Sequence, residues 1–301
     1  MAKTTTTVNL AAGLALRGHP VLIIDLDPQA NASTGLGVNR DLVDKSTYDL
    51  LSKELSLREV IRSTDIRGLD LVPSSLDLAG AEVELVGAMA RERKLAEALE
   101  DVADDYELIL LDCPPSLGLL TVNALAAAHD LIVPVQCEYY ALEGLGQLIG
   151  TAERVRRSLN PGLRIAGFLL TMFDARTKLA GQVADEVRTH FGDLVFETVI
   201  PRSVRLSEAP SFGEPVLTLD PSSRGSISYR LLATEVESRY GLEVHPPPPP
   251  PTQSRPEVID LAAGTPGPRG RGFGTVAPEP VGVRTAHPRP TPWGGLGGET
   301  Q

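Results

Sequence analysis

The sequence predicts an α/β fold, a mostly parallel twisted sheet flanked by helices, with a disordered C-terminal tail. Three observations carry this reading. Short aliphatic runs alternate with helix-like segments through residues 1–244. Hydrophobic residues make up 42% of the chain and aromatics only 4%, so the core must be Leu, Val, Ile and Ala; this composition suits buried parallel strands covered by helices. The final 57 residues, from His245 onward, hold 14 of the 25 prolines and 10 of the 28 glycines.

The elements follow in order. The chain opens MAKTTTTVNLAAGLALRG, and a helix is expected over 4–17. VLIIDLD (21–27) is a strand candidate. A helix is expected at 57–63, a strand at LDLVPS (69–74), a helix at 90–102 and a strand at ELILLDC (107–113). A helix at 118–128 leads to the strand LIVPVQ (131–136), and a helix at 141–159 to IAGFLLTMF (165–173). A helix at 177–191, a strand at LVFETVI (194–200) and a helix at 225–239 complete the ordered part. Strands alternating with helices at this spacing require right-handed βαβ crossovers. Ligands in such sheets bind outside the carboxyl ends of the strands, where Asp25, Asp27 and Asp112 fall. Residues 245–301 begin HPPPPPP and continue with TPGPRGRGFG. They cannot bury enough apolar surface to offset chain ordering, so a disordered tail with a polyproline II spacer is expected.

Composition excludes several classes. The formal net charge of −11 argues against a general nucleic-acid binder. Two cysteines, Cys113 and Cys137, fit a reducing cytosol and make no CxxC pair. No run of 18 apolar residues suggests a membrane span, and the first residues lack the pattern of a signal peptide.

Three stretches carry chemistry. In AKTTTT, a helix opening on Lys-Thr-Thr offers free N–H groups and a positive dipole end to an anion. The lysine can reach phosphate oxygens and a threonine hydroxyl can ligate Mg²⁺, as in the second half of a P-loop. In DLDPQANASTGLG (25–37), two carboxylates leave a strand end, where one can orient a water or hold Mg²⁺ through water. In ELILLDCPPSLGLLTVNAL (107–125), an apolar run ends in Asp112, the form of a Walker B segment. The three occur in P-loop order.

These stretches, with LAGAEVELV, VPVQCEYYALEGLGQL, LLTMFDARTKLAGQVADEV and VIPRSVRLSEAPSFGEPV, resemble the ParA/Soj family of partitioning ATPases from Lys3 to about Tyr240. The resemblance implies a ParA/MinD-like P-loop NTPase fold with ATP and Mg²⁺ as cofactors. It implies that Lys3 binds β- and γ-phosphate oxygens, Thr4 ligates Mg²⁺ and Thr5 contacts the α-phosphate region. It further implies that Asp27 positions the hydrolytic water, Asp25 lies near the metal and Asp112 supports Mg²⁺. ATP is expected to close a homodimer that binds DNA without sequence specificity and works with a ParB/Spo0J-like centromere-binding protein, in the cytoplasm on the nucleoid. Residues 154–205 carry nine basic and five acidic residues, against 11 basic and 24 acidic in 1–153. By resemblance, Arg176 and Arg205 are the DNA contacts.

The family places a strand, a glycine loop and a signature lysine ahead of the Lys-Thr pair. Here Met-Ala stands before Lys3, so a start upstream of Met1 is expected, and a chain without those parts would be a hydrolysis-deficient pseudo-ATPase. Since that strand lies inside the family's sheet, its neighbours would be left unpaired. Three rivals fare worse. A membrane-cycling positioner requires an amphipathic terminal helix, a tyrosine kinase of the superfamily a tyrosine-rich tail, and a non-catalytic binding protein rests only on the missing half of the P-loop. A related iron protein holds an iron–sulfur cluster between subunits, but the two cysteines here are expected to be packing residues, free cysteine being among the most buried residue types. A ParA-like positioner of another cargo stays open, because cargo is set by the partner.

Overall fold

The computed structural model describes residues 2–53, 55–138 and 141–243, with the backbone alone at 141–143. The expected tail at 245–301 lies outside the described residues. In chain order the elements are α1 (Ala2–Ala15), β1 (Val21–Asp25), α2 (Asn31–Gly35), α3 (Thr47–Ser52), α4 (Leu57–Val60), β2 (Arg62–Ser63) and β3 (Leu69–Val72). Then come α5 (Leu78–Glu84), α6 (Lys94–Leu99), β4 (Leu108–Asp112), α7 (Leu119–Ala127), β5 (Asp130–Gln136) and α8 (Ala141–Ser158). The last are β6 (Arg164–Thr171), α9 (Lys178–Phe191), α10 (Val204–Phe212), α11 (Val216–Leu219) and α12 (Arg224–Tyr240).

Strand β1 shows why aliphatic runs fold this way. Its five residues are all buried. Val21 and Ile23 enter one core with α1, α10, α11 and α12, through Leu10, Leu14, Leu206, Leu217, Tyr229 and Leu232. Leu22 and Ile24 enter the other, with Leu51, Leu57, Leu78, Leu95 and Leu120. Successive side chains point to opposite faces of a strand, so a strand covered on both sides must be apolar throughout.

The sheet is in two pieces among the described residues, one in the order β2-β3-β1-β4 and the other β5-β6. β1 runs parallel to both β3 and β4, β5 parallel to β6, and only the short β2 is antiparallel. β4 and β5 do not pair with each other. The residues Leu108 to Leu111 of β4 are accordingly half-buried, unlike the fully buried β1. α1 packs against β1, β4 and β5 and so lies across both pieces.

The expected strand at 194–200 does not form. That segment runs beside β6 with only two isolated bridges, Phe168 to Val195 and Phe173 to Pro201. The Glu235 carboxylate explains the interruption: it accepts from the backbone N–H groups of Glu197 (2.8 Å) and Thr198 (2.9 Å), so these two are not free to extend a ladder. Gly167 sits where the segment crosses, and a Cβ there would lie 2.6 Å from the Leu194 carbonyl oxygen. The expected helices at 57–63 and 90–102 are shorter, at Leu57–Val60 and Lys94–Leu99. No helix among the described residues is long and apolar enough to cross a membrane.

Candidate functional site

The site forms where the first turn of α1 meets the carboxyl ends of β1 and β4. Four consecutive threonines, Thr4 to Thr7, are a poor choice for helix propensity, since β-branching restricts χ1. Their hydroxyls supply the reason for them. Thr7 Oγ1 lies 3.1 Å from Asp112 Oδ1 and 3.2 Å from the Lys3 carbonyl oxygen, which ties the helix start to the end of β4. The Thr4 hydroxyl lies near enough to Asp112 to favour its ionised form. Thr6 Oγ1 is 3.3 Å from the Tyr229 hydroxyl of α12. Asn9, one turn on, donates to the Thr5 carbonyl and accepts from Val216 N–H at 2.8 Å, which fixes α1 against α11.

Asp25 and Asp112 are direct register partners on β1 and β4. Both are fully buried, and Asp27 nearly so. The main chains are pinned as well, since Leu26 N–H donates to the Asp112 carbonyl at 2.8 Å. Burial and the neighbouring Asp112 push the Asp25 carboxyl up to about 7. Burial pushes Asp112 up to about 6, against the lowering effect of the Thr4 and Thr7 hydroxyls and of Lys3. Three carboxylates thus share a dry site with one lysine, and the arrangement is short of positive charge.

The carboxylates are employed differently. Asp25 Oδ2 accepts from Ser33 N–H (2.9 Å) and Ser33 Oγ (2.7 Å), while Oδ1 accepts from Asp27 N–H (3.1 Å). Both oxygens therefore hold the turn from Asp27 to Ser33, while the carboxylate stands beside Asp112. Asp27 Oδ1 accepts from Gln29 N–H at 2.9 Å. Asp112 differs in that its Oδ2 is buried with no hydrogen-bond partner. A buried carboxylate oxygen left unpaired is costly, and a cation or a metal-bound water would satisfy it.

A divalent ion fits this donor set in one way. No cluster of three His, Cys, Asp or Glu side chains that could hold a metal occurs among the described residues. Mg²⁺ does not need one: it keeps several waters and is bound by one or two protein oxygens together with phosphate oxygens. Thr4 and Asp112 supply that pair.

Sequence reasoning placed Lys3, Thr4, Asp25, Asp27 and Asp112 together, and the structure brings them to one end of the sheet. It did not find Thr7 or Ser33. Thr7 lies one turn beyond Lys3 and shares its face of α1, a spacing readable in hindsight. Ser33 depends on the path of the 26–33 turn, where Ala30 adopts a left-handed φ of 54°. Arg176 and Arg205 lie elsewhere, on the loop before α9 and in the first turn of α10. Arg176 is 87% exposed and forks onto Asp174, with its Nη2 at 2.7 Å from Oδ2. Arg205 reaches Glu208 and Asp220. Burial pushes the two thiols up, Cys113 to about 12 and Cys137 to about 11, and Cys137 sits in the core beside β5 and β6.

Comparison with known proteins agrees with this geometry. A family model described as an AAA domain matches residues 1–165. The chain is 53% identical over 234 residues to the sporulation initiation inhibitor protein Soj of Bacillus subtilis, covering 78% of this chain and 92% of that one. It is 52% identical over 239 residues to the chromosome partitioning protein ParA of Caulobacter vibrioides, covering 79% and 90%. Among solved structures, cobyrinic acid a,c-diamide synthase of Mycobacterium smegmatis with bound ADP and magnesium matches at a TM-score of 0.70 and 35% identity, covering 83% of this chain and 94% of that one. The cell division ATPase MinD of Pyrococcus furiosus matches at 0.66 and 28%, covering 78% and 93%. With a sheet bearing Asp25 and Asp112 at its carboxyl edge, a Lys-Thr helix start above them and half-identical relatives over most of its length, the chain belongs to the ParA/Soj family of chromosome-partitioning P-loop ATPases.

Proposed function

We propose that this protein binds and hydrolyses ATP with Mg²⁺, dimerises in the ATP-bound state, and uses that cycle to segregate chromosome or plasmid origins. The observation that carries the reading is the unpaired buried Oδ2 of Asp112 beside Thr4 and Lys3. A site with surplus carboxylate and one such oxygen calls for a cation, and the N–H groups of the first turn of a helix favour an anion. Magnesium bound to a triphosphate answers both. Its chemistry there would be to neutralise charge on the phosphate oxygens.

In this reading Lys3 binds β- and γ-phosphate oxygens, and Thr5 contacts the α-phosphate region. Thr4 and Asp112 hold the metal, Asp112 through water. Asp27, nearly buried and tethered by Gln29 N–H, orients the attacking water. Thr7 keeps Asp112 aimed by occupying its other oxygen. Arg176 and Arg205 contact DNA phosphates, which gives affinity without sequence preference. A ParB/Spo0J-like protein stimulates hydrolysis on the nucleoid.

Calorimetric titration of the full chain with ATP tests the central step. Binding that requires Mg²⁺, and loses most of that requirement in Asp112→Asn, is expected. Equal affinity with and without Mg²⁺, or no affinity for ATP, would overturn the proposal.

A further inference from the structure

The loop that follows Asp112 reaches α7 in six residues, Cys113 to Gly118, two of them proline. Its first end is fixed at the site, where Leu26 N–H donates to the Asp112 carbonyl. Its second end is Gly118, the N-cap of α7, in an extended conformation with φ −84° and ψ −166°. The usual N-caps are serine, threonine, aspartate and asparagine, whose side chains accept from the first free N–H groups of a helix. Glycine has no such side chain. Glu82 of α5 supplies the acceptor from across the fold, with its Oε1 3.4 Å from Leu120 N. A Cβ at Gly118 would collide with that oxygen and lie 3.2 Å from Cδ of the same carboxylate. The three atoms nearest such a Cβ all belong to Glu82. Gly118 thus admits the carboxylate to the place of a cap side chain, and its charge meets the positive end of the α7 dipole.

A cap brought in from another element also joins the two elements. Leu78, Ala81 and Leu85 of α5 and its 3₁₀ continuation are buried in the second core with Leu120 and Ala124 of α7, which holds the backbone of Glu82 in place. The approach to α5 is tied to the other side of the site. Ser74 N–H donates to Ser33 Oγ, which donates to Asp25. Ser75 Oγ lies 3.1 Å from Ser46 Oγ, and Leu78 N–H donates to the Ser75 carbonyl. A ring therefore closes through Asp25, Ser33, Ser74, α5, Glu82 and Gly118, and returns along the loop to Asp112, the register partner of Asp25.

We infer that Glu82 is a positioning residue: it holds the loop behind Asp112 in register with the turn that carries Asp27. Its catalytic consequence rests on the ATP reading above. Asp112 and Asp27 then act on one reaction centre, and a small misplacement of either lowers the rate far more than the affinity. Hydrogen bonds and short rigid elements carry such coupling.

A double variant separates this role from simple capping. Glu82→Ala removes the carboxylate and leaves room at Gly118, so Gly118→Ser in that background gives α7 a cap of its own. The cap returns and the tie to α5 does not. On the full chain the urea midpoint reads the cap, amide exchange at Ser33 and Ser74 reads the tie, and ATP turnover with Mg²⁺, set against calorimetric affinity, reads the consequence. Glu82→Ala should lower the midpoint, speed exchange at both serines several-fold, and lower kcat about ten-fold or more with affinity little changed. Adding Gly118→Ser should restore the midpoint and leave exchange fast and kcat low. Gly118→Ser alone, with the carboxylate in place, should lower the midpoint. Glu82→Gln, which keeps the acceptor oxygen, should rescue most of the exchange protection and kcat lost in Glu82→Ala. Recovery of exchange and kcat along with the midpoint in the double variant would overturn the inference, because Glu82 would then be a cap alone. Unchanged exchange at Ser33 and Ser74 in Glu82→Ala would overturn it too. If the wild type hydrolyses no ATP while the exchange pattern holds, the nucleotide reading falls and the tie stands.

Discussion

Asp25 and Asp112 are paired across two parallel strands, and one carboxylate is fully hydrogen-bonded while the other keeps a bare oxygen. The pair has a consequence for pH. Each folded carboxyl lies above its usual value, Asp25 at about 7 and Asp112 at about 6. The folded protein therefore holds protons that the unfolded chain has released, and stability from these groups is greatest below the ordinary carboxylate range and is lost as pH rises through 6 and 7. Without nucleotide, the urea midpoint should fall between pH 5.5 and 8. A cation at Asp112 favours the ionised form, so the affinity for Mg²⁺ with ATP should rise over the same interval. A flat midpoint in Asp25→Asn, beside a sloping wild type, would locate the effect at this pair.

Ser33 is the keystone of the turn that presents Asp27. Its hydroxyl donates to Asp25 at 2.7 Å and accepts from Ser74 N–H at 3.0 Å. Ser33→Ala removes both bonds and leaves Ser74 N–H without an acceptor in a buried site. The expected loss is about 2 kcal/mol by urea denaturation. Asp25→Ala strips the Ser33 and Asp27 N–H groups of their acceptor as well and should cost about 3 kcal/mol. In both variants Mg²⁺-dependent nucleotide turnover should fall further than ground-state affinity, because Asp27 is displaced.

His19 joins the end of α1 to the rest of the fold. Fully buried, it places Nδ1 at 2.6 Å from Glu107 Oε2 and Nε2 at 2.8 Å from Glu237 Oε1. Glu237 also receives Arg17 through both its oxygens. The Arg17 and His19 partners outweigh burial in effect and hold the Glu237 carboxyl below its usual value. Stability from Glu237 is therefore present at neutral pH and lost as pH falls through the acid range. Glu237→Ala removes the partner of His19 Nε2 and of the Arg17 guanidinium, while Glu107 stays on Nδ1, and should cost about 3 kcal/mol, measured by thermal unfolding at pH 7. Equal stability in Glu237→Ala would show that α12 does not need this link.

Much of this arrangement was legible in the residues themselves. The aliphatic runs at β1, β4 and β6 read as buried strands because both faces are covered, and Lys3, Thr4 and Asp112 read as one site because their order matches P-loop chemistry. The segment 194–200 misled because its apolar composition is that of a strand. Its pairing is decided by Glu235, 38 residues further on, and no local pattern shows that. The short helix α3 was missed although its signal is present: Ser46 and Asp49 form a capping box, each closing the other's end group. α10 and α11 carry no such periodic stripe and form by packing against α1 and α2.

Arg176 gives the last prediction. Its guanidinium forks onto Asp174, with Nε at 2.9 Å from Oδ1 and Nη2 at 2.7 Å from Oδ2. The arginine holds the Asp174 carboxyl well below its usual range, with a further contribution from Arg202. Asp174 is therefore ionised at any working pH and offsets the charge that a DNA phosphate would meet. Arg202 stands close by, since its N–H donates to the Phe173 carbonyl at 2.9 Å. If the DNA surface is at this loop, Asp174→Asn frees Arg176 and Arg202 together. Affinity for non-specific duplex DNA should then rise, and the salt dependence should steepen by about one phosphate contact. Arg176→Glu should lower affinity with the opposite change in slope, and Arg205→Glu should do the same from the start of α10. The pair of opposite shifts is the discriminating feature, because general destabilisation would weaken binding in every variant. Fluorescence anisotropy against salt, in the presence of ATP and Mg²⁺, reads both quantities at once, and an unchanged slope in Asp174→Asn would place the DNA contact on another surface.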